Sequence, residues 1–257
     1  MRRAQEVIEQ HSIPQALPPA VVWQREREVD AVFDQRVAAV RARLPAYRAL
    51  LAVCGPRAGG RLQGVVWCEL PPKLLPLLNP EARARYRVSY SGRGAGKSWA
   101  SARALIARAL GAPVRILCAR EYQTSIAESV HALLATQIEE LGLAAWFNVQ
   151  QMSITAANGS EILFAGLHAN VSKLKSLEGI SIVWIEEGER VADASWQIVI
   201  PTIRKPGSEI WCTFNPDAPT DPTYERFVTN PPPGALVEFV SWRDNPWFPP
   251  ELDAERQ

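Results

Sequence analysis

A third of the way along the 257-residue chain, the sequence reads Ser91-Gly92-Arg93-Gly94-Ala95-Gly96-Lys97-Ser98. This glycine-rich stretch follows a predicted strand, Tyr86–Tyr90, and opens a predicted helix, Lys97–Leu110. A strand, a loop ending in Gly-Lys-Ser and a helix form the context of a phosphate-binding Walker A loop. Glycines let the loop turn its N–H groups inward around phosphates, and the helix N-terminus adds a favourable dipole. The stretch predicts a nucleotide site in which Lys97 reaches the β- and γ-phosphates and the Ser98 hydroxyl binds Mg²⁺.

One position departs from the usual Walker A pattern, which opens with glycine where this chain has Ser91. Serine fits a tight turn as long as its φ angle stays negative, so we expect the exchange to be tolerated. Trp99, the residue after the loop, is assigned to the same site. The nucleotide-binding stretch is thus predicted to span residues 91–99, with ATP as the nucleotide and Lys97 as a catalytic cation.

An acidic pair follows a fully apolar predicted strand further along the chain. The strand, Ile180–Ile185, ends directly at Glu186 and Glu187. Both carboxylates are expected beside the phosphate loop, because the carboxyl ends of parallel strands face the ligand crevice. We predict that Glu186 holds Mg²⁺ together with Ser98, as a Walker B acid does. Glu187 is predicted to be the general base that polarises the attacking water.

A third predicted strand, Glu209–Phe214, also ends in polar residues. It includes Thr213 and is followed by Asn215 and by Pro216, which terminates strand pairing. On its own, an Asn-Pro pair indicates only a turn. As part of the third polar strand end in one sheet, Thr213 and Asn215 are predicted to sense the γ-phosphate or the catalytic water.

The alternation of strands and helices predicts an α/β fold of the P-loop NTPase type, with a mostly parallel sheet flanked by helices. Ile180–Ile185 is apolar throughout and is expected in the middle of the sheet. Ser125-Ile126-Ala127-Glu128 fits a capping box that opens a helix running to Leu141. Asn158-Gly159 is a strong hairpin signal. The other predicted strands are Val114–Ala119, Met152–Ala157, Glu161–Ala165 and Leu236–Val240.

The chain has a net charge of only +1, which argues against a protein that holds nucleic acid through bulk positive charge. The charge is unevenly placed: residues 1–90 carry 14 Lys and Arg against 8 Asp and Glu, whereas residues 91–257 carry 14 against 19. Apolar residues at helical spacing predict a helix from Trp23 to Leu44. We interpret residues 1–68 as an appendage, either a helical arm or an over-extended start of translation, rather than a dedicated functional domain.

Neither a leader peptide nor a membrane segment is visible in the sequence. Met1-Arg2-Arg3 runs into polar and acidic residues, and no run approaches 18 apolar residues. The four cysteines show no CxxC spacing, so they indicate neither a zinc site nor a disulfide framework. We expect a cytoplasmic protein without a membrane partner.

Several stretches together resemble the ATPase domain of the large terminase subunit of tailed bacteriophages, the DNA-packaging motor. The resemblance covers residues 69–250 and is specific, because generic P-loop proteins lack this ordered set. The Glu-Glu form of the Walker B pair is similar to that of the PBSX-like branch. The matching stretches are Ser91–Ser98, Ala119–Ile126, Lys173–Gly179, Ile185–Glu187, Thr213–Pro216 and Asp244–Trp247.

The resemblance implies a P-loop fold of the additional-strand class and a motor that uses ATP to drive double-stranded DNA into a procapsid. It implies a homo-oligomeric ring, a pentamer, at the portal in the bacterial host cytoplasm, and a monomer in isolation. Portal protein and the small terminase subunit are the implied partners. Arg93 matches the family's Walker A arginine, which bonds the γ-phosphate in cis as a catalytic group.

The resemblance also bears on residues outside the loop and the acidic pair. Lys175 is a candidate for the basic residue that acts in trans on a neighbouring subunit, although a surface lysine or a contact to the phosphate backbone of DNA fits equally well. Arg120 and Glu178 are expected to be structural. Family members continue into a nuclease domain, so residues 251–257 are expected to be a truncated linker to an absent domain, and the chain is not expected to cut DNA.

Two other hypotheses stay open at this point. One is another P-loop translocase or helicase, although no helicase-type base-contact motif is evident. The other is a prophage remnant that binds nucleotide or packaging partners without productive catalysis. Turnover of ATP separates the motor from the remnant.

Overall fold

The computed structural model describes residues 21–26, 48–57, 60–79, 84–122, 126–168 and 178–256. These residues form a three-stranded sheet and, after it, an eight-stranded sheet covered by helices. The predicted phosphate loop and the predicted acidic pair both lie at the ends of strands of the eight-stranded sheet. This sheet therefore positions the site.

The three-stranded sheet corrects a prediction for the start of the chain. A helix is predicted from Trp23 to Leu44, but Trp23 lies in a strand, and residues 27–44 lie outside the described residues. Valine and tryptophan favour extended backbone, and Trp23 pairs with Gly64 of a neighbouring strand, so the predicted helix does not begin at Trp23. The strands pair antiparallel in the order first, third, second: β1 (Val21–Glu26), β2 (Arg48–Arg57) and β3 (Gly60–Glu69).

Seven strands of the eight-stranded sheet match predicted strands to within two residues at either end, whereas the strand Phe147–Gln150 was not predicted. The members of the sheet are β4 (Tyr86–Tyr90), β5 (Arg115–Arg120), β6 (Phe147–Gln150), β7 (Ser153–Ala156), β8 (Glu161–Gly166), β9 (Ile182–Glu186), β10 (Glu209–Phe214) and β11 (Leu236–Phe239). Their order is β11-β4-β10-β9-β5-β8-β7-β6. The first six in this order run parallel, and β8, β7 and β6 pair antiparallel. The predicted hairpin around Asn158-Gly159 is confirmed as the link between β7 and β8.

Helices cover the sheet. They are α1 (Lys97–Gly111), α2 (Ala132–Glu140), α3 (Asp193–Thr202), α4 (Pro222–Tyr224) and α5 (Pro250–Arg256). A π-helical turn, Ala127–His131, precedes α2, and another, Glu225–Thr229, follows α4. Ser125 of the predicted capping box lies outside the described residues, whereas the predicted helix end near Leu141 is confirmed. Short 3-10 turns span Pro72–Leu78, Gly188–Arg190 and Trp242–Asp244.

The central strands bring distant parts of the chain to one edge of the sheet. Strand β10 lies between β4 and β9, as the additional-strand class of P-loop folds requires. The apolar residues of β9 are all buried, which confirms its central position. Because β4, β10, β9 and β5 are parallel, they end at the same edge, at Tyr90, Phe214, Glu186 and Arg120 respectively.

Apolar side chains pack on both faces of this sheet. One cluster joins α1 and α2 to the sheet, and the other includes α3 and the residues around α4. Within the described part of the chain, no helix is both long and apolar enough to cross a membrane.

Candidate nucleotide-binding site

A cavity of about 220 Å³ lies at the carboxyl edge of the central strands. The loop after β4 forms one wall, and the ends of β9 and β10 form the other. Gly94 and Gly96 adopt positive φ angles of 81° and 77°, a region that residues with a side chain rarely enter. Gly96 is the N-cap of α1, so the first N–H groups of that helix, which lack partners within the helix, face the loop.

Lys97 lies at the centre of this arrangement. Its Nζ donates hydrogen bonds to Ser91 Oγ at 2.8 Å, to the Gly92 carbonyl at 3.1 Å and to Asn215 Oδ1 at 2.8 Å. Burial lowers the pKa of Lys97 to about 8, while the carboxylates of Glu189 and Glu186 act in the opposite direction. The ammonium group is therefore held in place by neutral oxygens, ready to exchange them for an anion.

The loop accommodates serine at position 91, where the usual Walker A pattern has glycine. Among the described residues, Glu187 is the one non-glycine residue with a positive φ, so Ser91 keeps the negative φ that the sequence argument requires. Its hydroxyl is buried and accepts the hydrogen bond from Lys97. A glycine could not supply this oxygen, so the serine adds a contact to the loop lysine.

The predicted magnesium ligands, Ser98 and Glu186, are brought together. Ser98 Oγ donates to Glu186 Oε1 at 2.9 Å across the cavity. They lie 88 positions apart in sequence and meet because β9 ends opposite the start of α1.

Glu187 occupies an unusual backbone conformation directly after β9. Its φ and ψ angles are 55° and 48°, in the left-handed region. For a residue with a side chain this conformation is strained by roughly 1–3 kcal/mol, and such strain clusters at functional sites. The Glu187 side chain is 44% exposed, compared with 13% for Glu186. The strand end thus presents one enclosed and one open carboxylate.

Arg120, which we expected to be structural, lies beside the acidic pair. It ends β5, beside β9, and its Nε donates to Glu186 Oε2 at 2.6 Å. Its Nη1 lies 3.2 Å from Glu187 Oε2. One guanidinium therefore contacts both acidic residues of the site. Its position at the carboxyl end of a neighbouring parallel strand was the signal that could have revealed it.

The predicted sensor residues have different surroundings. Asn215 Oδ1 accepts the hydrogen bond from Lys97, and its backbone N–H donates to Glu189 Oε2 at 3.2 Å. Thr213 lines the cavity but is buried, and its hydroxyl accepts a hydrogen bond from Trp184 Nε1 at 3.1 Å. Glu189, which the sequence did not single out, is half-buried, and burial raises its pKa. Its carboxylate lies close enough to Lys97 to act against the lowering of the lysine pKa by burial.

The remaining predicted site residues divide into three cases. Arg93 and Trp99 both line the cavity, and Arg93 is exposed. The Trp99 ring is covered by the guanidinium of Arg103, 3.6 Å from the ring centroid, and contacts Trp247. Lys175 lies outside the described residues, so its predicted role in trans stays a prediction. Glu178 is exposed at the opposite edge of the sheet, before β9.

Comparison with known proteins places this geometry in a family. The profile of the family described as phage terminase large subunit matches residues 83–255. The chain belongs to this family. A curated relative, the PBSX phage terminase large subunit of Bacillus subtilis (strain 168), is 33% identical over 146 residues, which cover 55% of this chain and 34% of the relative. The profile match, residues 83–255, covers the loop and both partner strands of the site, and it favours a terminase over a helicase.

Solved terminases share the fold. The large terminase of the thermophilic bacteriophage D6E matches with a TM-score of 0.61 at 12% identity, over 72% of this chain and 49% of that one. That protein has also been solved in complex with ADP and with ATP-gamma-S. The large terminase ATPase domain of Thermus phage P74-26 matches with a TM-score of 0.51 at 16% identity, over 63% and 78%. This chain therefore spans about half the length of the D6E terminase and has the P-loop ATPase fold.

Proposed function

We propose that this terminase chain binds ATP in the cavity at the carboxyl edge of the sheet and hydrolyses it with the help of Mg²⁺. The observation that carries the proposal is the meeting of Ser98 with Glu186 and of Lys97 with Asn215, at 2.9 and 2.8 Å. These contacts join the phosphate loop to the ends of β9 and β10. The ADP and ATP-gamma-S complexes of the D6E terminase support the same assignment.

Lys97 and the loop provide the binding of the phosphates. The loop glycines allow N–H groups to converge, and the start of α1 supplies further donors. An arriving polyphosphate replaces the oxygens that now accept from Lys97, and its negative charge favours the protonated ammonium. Arg93, exposed on the loop, is proposed to reach the γ-phosphate in cis, where a planar guanidinium offers two parallel donors.

Ser98 and Glu186 fit the requirements of Mg²⁺. A hydroxyl and a carboxylate oxygen 2.9 Å apart are both hard oxygen donors, and Mg²⁺ commonly takes one or two protein oxygens and completes its shell with phosphates and water. Ser98 and Glu186 would hold the ion, which when bound neutralises charge on the phosphates. The Arg120 guanidinium holds Glu186 through its other oxygen, Oε2, so that Oε1 stays available on the side of Ser98.

Glu187 is proposed as the general base. Its exposed carboxylate is adjacent to the cavity, and the strained backbone turns it away from the buried path of β9. Arg120 contacts the same carboxylate at 3.2 Å, so it can hold Glu187 until a water and a nucleotide are in place. Asn215 and Thr213 are proposed to sense the γ-phosphate, Asn215 through its hydrogen bond to Lys97.

The wider role follows from the family. We propose that residues 69–250 act as the motor domain of a packaging machine that moves double-stranded DNA into a procapsid. The partners would be portal protein, the small terminase subunit and further copies of this chain in a pentameric ring, with Lys175 completing a neighbour's site. The chain would be a monomer in isolation and would work in the cytoplasm of a bacterial host.

ATP hydrolysis by the wild-type chain and by Glu187→Gln tests the proposal. The wild type is expected to release phosphate from ATP in the presence of Mg²⁺. The variant is expected to bind ATP normally but to release phosphate about 100- to 10,000-fold more slowly, as is usual when a general base is removed. A wild type that binds ATP without turnover would instead favour the nucleotide-binding remnant.

A further inference from the structure

A segment far along the chain, residues 241–248, lies against the phosphate loop. It begins with the 3-10 turn Trp242–Asp244 and ends before α5. Within it, Asn245 Nδ2 donates a hydrogen bond of 2.7 Å to the carbonyl oxygen of Gly94, which is 151 positions earlier in the sequence. Asp244–Trp247 within this segment resembles a terminase motif, but its sequence alone indicates no role.

The orientation of the Asn245 side chain is determined by its two partners. Its Oδ1 accepts a hydrogen bond from the backbone N–H of Trp247 at 3.0 Å. A backbone N–H can only donate, and a carbonyl oxygen can only accept, so exchanging the amide oxygen and nitrogen would break both contacts. Asn245 is therefore a fixed donor directed at Gly94.

Fixing the Gly94 carbonyl also fixes the next N–H group. In a planar trans peptide the carbonyl and the following N–H point in opposite directions. With the Gly94 oxygen held by Asn245, the N–H of Ala95 points in the opposite direction within the peptide plane, away from Asn245. Ala95 and Gly94 both line the cavity, and loop N–H groups at these positions form the cradle for phosphates.

The 241–248 segment is itself anchored, so Asn245 is not a mobile surface residue. Asp244 accepts hydrogen bonds from Ser241 N at 2.8 Å and Ser241 Oγ at 3.0 Å, and it pairs with Lys73 at 3.2 Å. Partial burial acts to raise the pKa of Asp244, but these hydrogen bonds and Lys73 hold it below its usual value. The carboxylate therefore stays ionised, and the turn that presents Asn245 persists.

A second contact from the same segment restrains Gly94. The ring of Phe248 lies so close to Gly94 that a Cβ atom added at Gly94 would overlap it. The positive φ of Gly94 excludes most other residues independently. Gly94 is thus restrained both by a hydrogen bond to its carbonyl and by the nearby ring of Phe248.

We propose that Asn245 is a positioning residue for nucleotide binding: by holding the Gly94 carbonyl, it keeps the Ala95 N–H directed at the phosphate chain. The 241–248 segment then belongs to the nucleotide site through this hydrogen bond and the contact of Phe248 with Gly94. The inference rests on the proposed binding of nucleotide at the loop, but it adds a residue that no Walker motif contains. It also means that the phosphate loop is preorganised by the segment leading to α5.

Asn245→Asp is the informative variant, because aspartate keeps the size and the acceptor for Trp247 N–H but loses the donor. We expect the affinities for ADP and for pyrophosphate to fall by the same factor, about threefold to tenfold, the usual effect of one hydrogen bond. Equal factors mean that the loss concerns the phosphates and not the base. Asn245→Ala serves as a second variant with the same expectation.

Asn230→Ala is the matched control, since the Asn230 side-chain amide also donates to a backbone carbonyl, that of Glu225, far from the loop. It should bind both ligands as the wild type does. The unliganded melting temperature of each Asn245 variant should stay close to that of the wild type. If either folded Asn245 variant binds ADP and pyrophosphate as tightly as the wild type, the role proposed for Asn245 is wrong, but the proposed function is not affected. A wild type that binds neither ligand overturns the proposed function as well.

Discussion

Two clusters of arginine and glutamate lie at opposite edges of the same sheet. At the amino edge, Glu209 Oε2 accepts hydrogen bonds from Arg87 Nε at 2.7 Å and Trp211 Nε1 at 2.8 Å, and its other oxygen pairs with Arg108. At the carboxyl edge, Arg120 contacts both Glu186 and Glu187. The residue types are the same, but the surroundings differ.

The two clusters differ in how far the protein encloses the carboxylates and in whether a ligand can replace their partners. The Glu209 carboxylate is only 9% exposed, and both its oxygens have partners within the protein. Glu187 is 44% exposed, and its neighbours Ser98, Lys97 and Asn215 line an open cavity. A carboxylate whose partners all lie within the protein belongs to the structure of the fold, whereas one whose partners can be exchanged for a ligand can perform chemistry.

The largest expected effect on folding comes from the enclosed cluster. Glu209→Ala leaves the guanidinium groups of Arg87 and Arg108 without their carboxylate, and breaking a buried pair in this way lowers the free energy of unfolding by about 3–5 kcal/mol. Denaturant unfolding measures the loss. Glu161→Ala, which breaks the half-exposed pair with Arg115 at the same edge, should cost less than about 1 kcal/mol. Similar losses in both variants would remove the distinction between enclosed and open pairs.

A smaller effect, and one on activity, is expected at the other edge. Arg120→Lys keeps the positive charge but cannot contact Glu186 and Glu187 with one planar group. We expect ATP turnover to fall about 10- to 100-fold, as for other residues that orient catalytic ligands. Arg115→Lys, at the other end of the same strand, is the matched control and should leave turnover unchanged. Equal turnover in Arg120→Lys and the wild type would return Arg120 to a structural role.

The smallest expected effect is the uptake of a proton by Lys97 when ADP binds. Its pKa is about 8 in the free protein, so at pH 9 the amine is mostly neutral, and at pH 6.5 it is already charged. Bound phosphates favour the charged form, so ADP binding should take up a proton at pH 9, and this uptake by Lys97 should vanish at pH 6.5. Calorimetric titration in two buffers of different ionisation enthalpy measures the uptake. Lys97→Arg, which stays charged, should show none at pH 9, and an unchanged uptake would assign the proton to another group.

Some of this site could be predicted from sequence because its parts are contiguous. Residues 91–98 and the pair Glu186-Glu187 each follow a recognisable strand, and each carries its chemistry within a few positions. Arg120 is 66 positions from Glu186, and only the placement of β5 beside β9 brings them together. Asn245 is 151 positions from Gly94, and its role depends on a hydrogen bond between a side chain and the backbone, which leaves no sequence pattern.

In the fold, too, some elements could be predicted from local sequence and others could not. Strand β9 could be predicted because burial on both faces requires a continuous apolar run. The helix from Trp23 was wrong at its start because helical spacing of apolar residues does not exclude extended pairing, and β3 offers Trp23 a partner strand at Gly64. The local sequence pattern predicts an element when burial of its side chains determines the structure. It fails when pairing with a distant strand determines the structure.

Phosphate release from ATP by three proteins, compared side by side, tests the central assignment most directly. They are the wild type, Glu187→Gln at the carboxyl edge and Glu178→Gln, an exposed glutamate at the opposite edge. We expect the wild type and Glu178→Gln to hydrolyse ATP at the same rate, and Glu187→Gln to bind ATP but to hydrolyse it about 100- to 10,000-fold more slowly. Hydrolysis by Glu187→Gln at the wild-type rate would contradict this assignment.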